Sequence, residues 1–167
     1  MDTELSEVVE KGRAKPIHIA VGSMSMELPF APVDTIIRRS SGALRVSSEA
    51  TEELARLIQI EGASLAIEAA KIARENGRKT IQEGDFDIGE RDSERELVLP
   101  IAPVDRIARS EIDDRYRIGN DARLILAEYL EDYADQIAKK SAILSRHAGR
   151  KTIQKEDIET CVKILEE

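Results

Sequence analysis

At 167 residues the chain has room for one compact domain, or for two small units that share a core. Aromatic residues at 3%, with no Trp, exclude base stacking as a main binding device. The lone Cys161 excludes an internal disulfide and points to a reducing interior. A net charge of −8 opposes nucleic-acid binding except through local basic clusters, and no apolar run approaches the ~18 residues of a membrane span.

The first ten residues, MDTELSEVVE, are acidic and lack a signal-peptide pattern, so the expected location is cytoplasmic. Residues 1–25 read as a flexible extension, with Met24 and Met26 as later possible starts. A first unit follows over 26–88. Leu28-Pro29-Phe30-Ala31-Pro32-Val33-Asp34 opens a short helix, since Pro suits a first helical turn and Asp suits its positive end. Ser40-Ser41-Gly42 stops it. A long helix then starts at Ser47 or Ser48, both good caps, and runs to Asn76-Gly77 with Leu54, Leu57, Ile58, Leu65, Ala69 and Ile72 at helical spacing. Next, Thr80-Ile81-Gln82-Glu83 reads as the capping box of a third helix, which Gly84 and Gly89 weaken.

Residues 89–97, GERDSEREL, carry charge but no apolar stripe and read as a linker. The second unit, 98–167, repeats the first. Leu99-Pro100-Ile101-Ala102-Pro103-Val104-Asp105 matches the opening segment at an offset of 71, and Gly149-Arg150-Lys151-Thr152-Ile153-Gln154 matches Gly77 to Gln82 at an offset of 72. One residue is therefore inserted between them, before Arg117, which marks that segment as a loop. The second long helix carries Ala122, Leu126, Tyr129, Leu130, Tyr133, Ile137 and Leu144 and ends at Gly149. Arg117-Ile118-Gly119-Asn120 replaces Arg45-Val46-Ser47, so its cap is expected to shift to Asn120. Lys155 stands where the box glutamate was, but Ile158, Cys161, Val162, Ile164 and Leu165 give the third helix a longer apolar face. Each long helix spans roughly 40 Å at 1.5 Å per residue. Alone it cannot hide its stripe; the other copy is the available partner.

The remaining chemistry is sparse. GRKT ends a long helix and lacks the upstream glycine of a phosphate-binding P-loop. His18 and His147 lie far apart in sequence and make no metal site. Cys161, Tyr129 and Tyr133 read as core residues. No carboxylate pairs with a nucleophile, so neither catalysis nor a cofactor nor a small-molecule substrate is expected. Residues 27–97 carry 10 basic and 15 acidic side chains, and residues 98–167 carry 12 and 14, so a basic surface can come only from clustering.

Short–long–short helices, LPxAPVD at the start, Arg-Val-Ser before the long helix and GRKT after it resemble the histone fold over residues 26–167. The closest resemblance is to archaeal doublet histones, two folds fused in one chain, of the acidic type found in salt-loving archaea. The resemblance implies an all-α protein whose two histone folds pair in an intrachain antiparallel handshake. It implies binding of double-stranded DNA, with bending and compaction, on the chromosome. Arg45 would sit with Lys151 and Thr152, and Arg117 with Lys79 and Thr80, each arginine entering the minor groove. Arg38 and Arg109 match basic positions on the first helices, and the pairs Arg78–Asp85 and Arg150–Asp157 match the braces of the loops. Such contacts position a protein without reading bases. Asp113 and Asp114, beside Arg115 and Arg117, blunt the positive field of one loop. Leu144, His147, Asp157 and Thr160 match the face through which dimers join; Ile72, Glu75, Asp85 and Ile88 occupy it in the first copy. Two chains are thus expected to join through their second copies into a closed particle of four folds, His147 meeting Asp157. The alternative is a histone-fold protein-interaction or transcription-regulator module with weak DNA binding.

Overall fold

Residues 25–90 and 94–167 are described by a computed structural model of the chain. The expected N-terminal extension, with His18 and Met24, lies outside them except for Ser25, as do Arg91, Asp92 and Ser93 of the expected linker.

The chain runs α1 (Phe30–Ser41), β1 (Arg45–Val46), α2 (Ser48–Glu75), β2 (Thr80–Ile81) and a 3-10 turn (Glu83–Asp85), then α3 (Ile101–Arg109), β3 (Arg117–Ile118), α4 (Asn120–His147), β4 (Thr152–Ile153) and α5 (Lys155–Glu166). Local chemistry explains the boundaries. Ser47 caps α2, its hydroxyl oxygen accepting the Ala50 N–H at 3.1 Å. Both long helices are left through a glycine of positive φ, Gly77 at 69° and Gly149 at 74°, the left-handed stop that a Cβ disfavours.

Three sequence expectations need correction. The cap of α4 is Gly119, not Asn120, because the Gly119 N–H is committed to the Ile81 carbonyl at 2.9 Å. A Cβ at 119 would lie 3.2 Å from that oxygen. The capping box of the third element lies two residues further on, as Gln82 with Asp85, since Thr80 belongs to β2. The second copy has the same box, Gln154 with Asp157, so Lys155 removes nothing. Finally, Ile158 and Cys161 are buried, but Ile164 and Leu165 are 56% and 42% exposed and do not extend the core face. As expected, the first copy makes only the three-residue turn where the second makes the twelve-residue α5.

The short helices exchange partners. α1 packs chiefly on α4, and α3 chiefly on α2, while the two long helices pack on each other. Val33, Ile36, Ile37, Leu54, Ile58, Ile107, Leu126, Leu130 and Ile137 are all fully buried in the single core this produces. Tyr129 and Tyr133 pack against it half-buried, as expected. Gly62, midway along α2, marks the closest approach: a Cβ there would meet Ile107 Cγ2 and Leu130 Cδ1, each at 3.0 Å. Glycine in a helix costs about 1 kcal/mol relative to Ala, so the packing must justify it. Gly62→Val is expected to lower stability by about 1–3 kcal/mol through overpacking, read as a fall in the thermal midpoint.

Candidate nucleic-acid interface

The crossed arrangement brings the loop before one long helix against the loop after the other. β1 pairs with β4 in parallel, Arg45 opposite Thr152 and Val46 opposite Ile153. β2 pairs likewise with β3, Thr80 opposite Arg117 and Ile81 opposite Ile118. The Arg45 N–H donates to the Lys151 carbonyl at 2.9 Å, and the Arg117 N–H to the Lys79 carbonyl at 2.8 Å. Side chains alternate across such a ladder. Ile81, Ile118 and Ile153 point into the core, while Arg45, Lys79, Arg117 and Lys151 are exposed and Thr80 and Thr152 half-buried. The two ends of the handshake therefore present the same trio, an arginine beside a Lys-Thr pair.

Each loop is braced from behind. Arg78 donates to both oxygens of Asp85, at 2.7 and 2.8 Å, and to the Thr80 carbonyl at 3.1 Å. Asp85 in turn accepts the Gln82 N–H at 2.8 Å. The bonds from Arg78 hold the buried Asp85 carboxyl below its ordinary range, against the opposing effect of burial. Arg150 and Asp157 form the matching pair, with the Gln154 N–H on the second oxygen at 2.8 Å. Ser145 adds a hydroxyl bond to the Thr152 carbonyl at 2.9 Å.

Arg38 and Arg109 are not bare cations. Each pairs with an aspartate one turn earlier on its own helix, Asp34 at 2.7 Å and Asp105 at 2.9 Å. Exposed pairs of this kind are worth about 0.3–0.5 kcal/mol, so a phosphate can compete for the guanidinium. At the α4–α5 end, His147 and Thr160 are exposed, Leu144 is half-buried and Asp157 is 2% exposed, its carboxylate already shared between Arg150 and Gln154.

Sequence reasoning missed two arginines near the paired loops. Arg146 reaches over the end of α1, its guanidinium 3.5 Å from the Ser41 carbonyl oxygen. Its repeat equivalent Arg74, 72 residues earlier, was the signal that could have found it. Arg123 bonds the Ile118 carbonyl at 3.2 Å and pairs with Asp105 at 3.1 Å, and no repeat marks it, because the first copy has Thr51 there. Among the described residues no group of three His, Cys, Asp or Glu could hold a metal ion, and no helix is long and apolar enough to cross a membrane. The Cys161 thiol is buried, and burial raises its pKa.

Two crossed short–long–short units with strand-paired loops at both ends define a histone-fold pair, and the sequence agrees. The family model for histone-like transcription factors (CBF/NF-Y) and archaeal histones matches residues 26–88 and again 97–162, so the chain belongs to that family and carries its fold twice in tandem. A curated relative, one of the subunits of the archaeal histone HAN1 from Thermococcus zilligii, is 49% identical over 65 residues, covering 39% of this chain and 94% of the relative. Another, named Probable archaeal histone 3, of Methanocaldococcus jannaschii, is 38% identical over the same length and coverage. The crystal structure of the histone from Methanopyrus kandleri superposes with a TM-score of 0.64 at 27% identity, over 80% of this chain and 92% of that one.

Proposed function

We propose that the chain is an archaeal doublet histone that binds duplex DNA with little sequence selectivity and bends and compacts it on the chromosome. One observation carries the reading: backbone pairing sets Arg45 beside Lys151-Thr152 and Arg117 beside Lys79-Thr80, one matched set at each end of the handshake. The lysines and threonines meet phosphate, and the arginines enter the minor groove as it faces the protein. The test is a duplex titration across salt concentrations. Each phosphate neutralised contributes about −0.9 to the slope of log K against log salt, so the expected slope is several units and negative. A slope near zero removes DNA binding and leaves the second reading, an interaction or transcription-regulator module. That reading is favoured by 33 acidic against 25 basic residues and by the breadth of the family's description. Arg45→Ala with Arg117→Ala is expected to weaken binding uniformly across DNA sequences, since no base edge is read. Unchanged binding would place the DNA surface elsewhere.

Self-association belongs to the same proposal. Leu144, His147, Asp157 and Thr160 form the joining face, and Ile143 and Ile164, at 60% and 56% exposure, are unburied in the single chain. The first copy has only a turn where α5 would supply half of such a face. Two chains then join through their second copies into a closed particle of four folds. His147→Glu, which sets a carboxylate against Asp157, is expected to return the particle to single chains by light scattering with its circular dichroism unchanged. A dimer that survives it, or one whose contact runs through Glu75 and Asp85, refutes the arrangement.

A further inference from the structure

On the DNA-binding reading, the two ends of the handshake should be equal partners, since their backbone pairing and their Arg-plus-Lys-Thr sets match. Their surroundings do not match. We propose that the Arg45–Lys151 end is the anchoring end, which takes duplex phosphate first and releases it last, while the Arg117–Lys79 end is a weak contact that DNA reaches only once held at the other.

The difference lies in the loop before each long helix. Residues 41–47, SGALRVS, hold one cation and no carboxylate. Residues 110–119, SEIDDRYRIG, hold Glu111, Asp113 and Asp114 against Arg115 and Arg117. This is also the loop that contains the inserted residue. The strands paired to them are identical in charge, Arg150 and Lys151 at one end, Arg78 and Lys79 at the other, so the paired loops carry formal charges of +3 and +1. The last helical turn widens the gap. Arg146 is drawn over the first loop by the Ser41 carbonyl and is followed by His147, whereas Arg74 is followed by Glu75.

Geometry keeps Asp113 close to Tyr116, the residue before Arg117. The Tyr116 N–H closes a turn onto the Asp113 carbonyl at 3.0 Å, and the Arg115 N–H bonds the Asp113 side chain at 2.9 Å. A turn of this kind brings its first and last Cα atoms within about 7 Å. Asp113 therefore lies inside the ~8 Å Debye length that physiological salt allows around the residue before Arg117. Asp113 spends the Arg115 cation, with Nη2 to Oδ2 at 2.9 Å, so the loop's remaining charges are Glu111 and Asp114 against the single cation Arg117. The same bonds from Arg115 hold the Asp113 carboxyl down at about 2, so mild acid does not discharge it.

Charges further out do not reverse the order. At the anchoring end Glu49, Glu52 and Glu53 line one groove with Arg56 and Lys155, a balance of one negative charge, whereas the equivalent positions at the other end hold Asp121, Glu128 and Glu83, three negative charges. The one extra cation of the weak end, Arg123, is tied to the Ile118 carbonyl and to Asp105, which Arg109 also uses.

The experiment compares two double variants of the full chain on one short duplex over a range of salt, with circular dichroism as the control for folding. Arg45→Ala with Lys151→Ala is expected to cost tenfold or more in affinity and to flatten the salt slope by about two units. Arg117→Ala with Lys79→Ala is expected to cost less than threefold. Conversely, Asp113→Asn with Asp114→Asn should tighten binding several-fold and steepen the slope, and it keeps the proposal testable if an alanine pair unfolds the chain. Equal losses from the two alanine pairs, or no gain from the asparagine pair, overturn the unequal ends while leaving DNA binding standing. A flat salt slope in the unaltered protein instead overturns the DNA-binding reading itself.

Discussion

Made alone, residues 26–97 are expected to be unfolded, or to fold only by pairing with a second copy of themselves. The reason is the exchange of partners. Val33, Ile36 and Ile37 of α1 are fully buried, and the helix they cover most is α4, on the other unit. Each such side chain contributes about 1.5–3 kcal/mol on burial, so their exposure together removes a large part of the 5–15 kcal/mol that holds a typical domain. Both β-ladders also join one unit to the other, so a lone copy has neither. Self-pairing is available because the loops are repeats: β1 of one fragment can meet β2 of another through the same GRKTIQ segment that β4 supplies in the whole chain. The fragment 98–167 should pair more tightly, because α5 packs on both long helices and the first copy has only a turn in its place. Light scattering with circular dichroism reads the outcome, and a stable folded monomer of 26–97 would refute the handshake as the source of stability.

What could be read from the chain was what repeats or has a period. Helices follow a 3.6-residue stripe, and caps and glycine stops punctuate them, so both long helices could be placed almost to the residue. The doubled GRKTIQ and LPxAPVD segments exposed the tandem architecture. Errors came where a tertiary contact decided a local choice. Thr80 has the chemistry of a cap, but β2 takes its backbone for pairing with Arg117, and the box moves to Gln82. Asn120 is a better cap than Gly119, yet the Ile81 carbonyl fixes Gly119 first. The pairing of Arg38 with Asp34 and of Arg109 with Asp105 is different, a local contact that the four-residue spacing of each pair on one helix already offered. The buried polar pair Gln59 and Glu131 was passed over, because a polar residue within an apolar stretch carries no local mark of what it holds.

Glu131→Ala is expected to cost about 3 kcal/mol, more than any single change in the exposed loops. Glu131 lies within α4 and is 1% exposed. One oxygen accepts the backbone N–H groups of Val98 and Leu99, at 2.6 and 2.9 Å, and the other faces Arg95 at 3.2 Å and Arg39 at 3.6 Å. It thus ties three elements together: the strand of chain entering the second unit, α4, and α1 of the first unit. Gln59, its repeat equivalent 72 residues earlier, does the neutral version of the same task. It accepts the Glu27 N–H at 2.9 Å and donates to the Ser25 carbonyl at 2.6 Å. Alanine at 131 leaves the Val98 and Leu99 N–H groups without their acceptor, and Arg95 and Arg39 keep only Asp132 and Asp135. Glutamine should recover part of the loss, because its carbonyl oxygen can still take a backbone N–H, but its amide group would face the arginines. Acid should separate the variants as well. Burial alone would raise the pKa of Glu131, but the bonds from Leu99, Val98 and Arg95, with the charge of Arg39, outweigh it and set the pKa below its ordinary 4.5. A depressed carboxyl stabilises the fold fully above the unfolded value and loses that contribution as pH falls through the folded one. The unaltered chain should therefore lose part of its thermal stability below about pH 4.5, and Glu131→Gln should lose less over the same range. Parallel melting curves for the two proteins between pH 3 and 7 would show that the tie does not depend on the charge of Glu131.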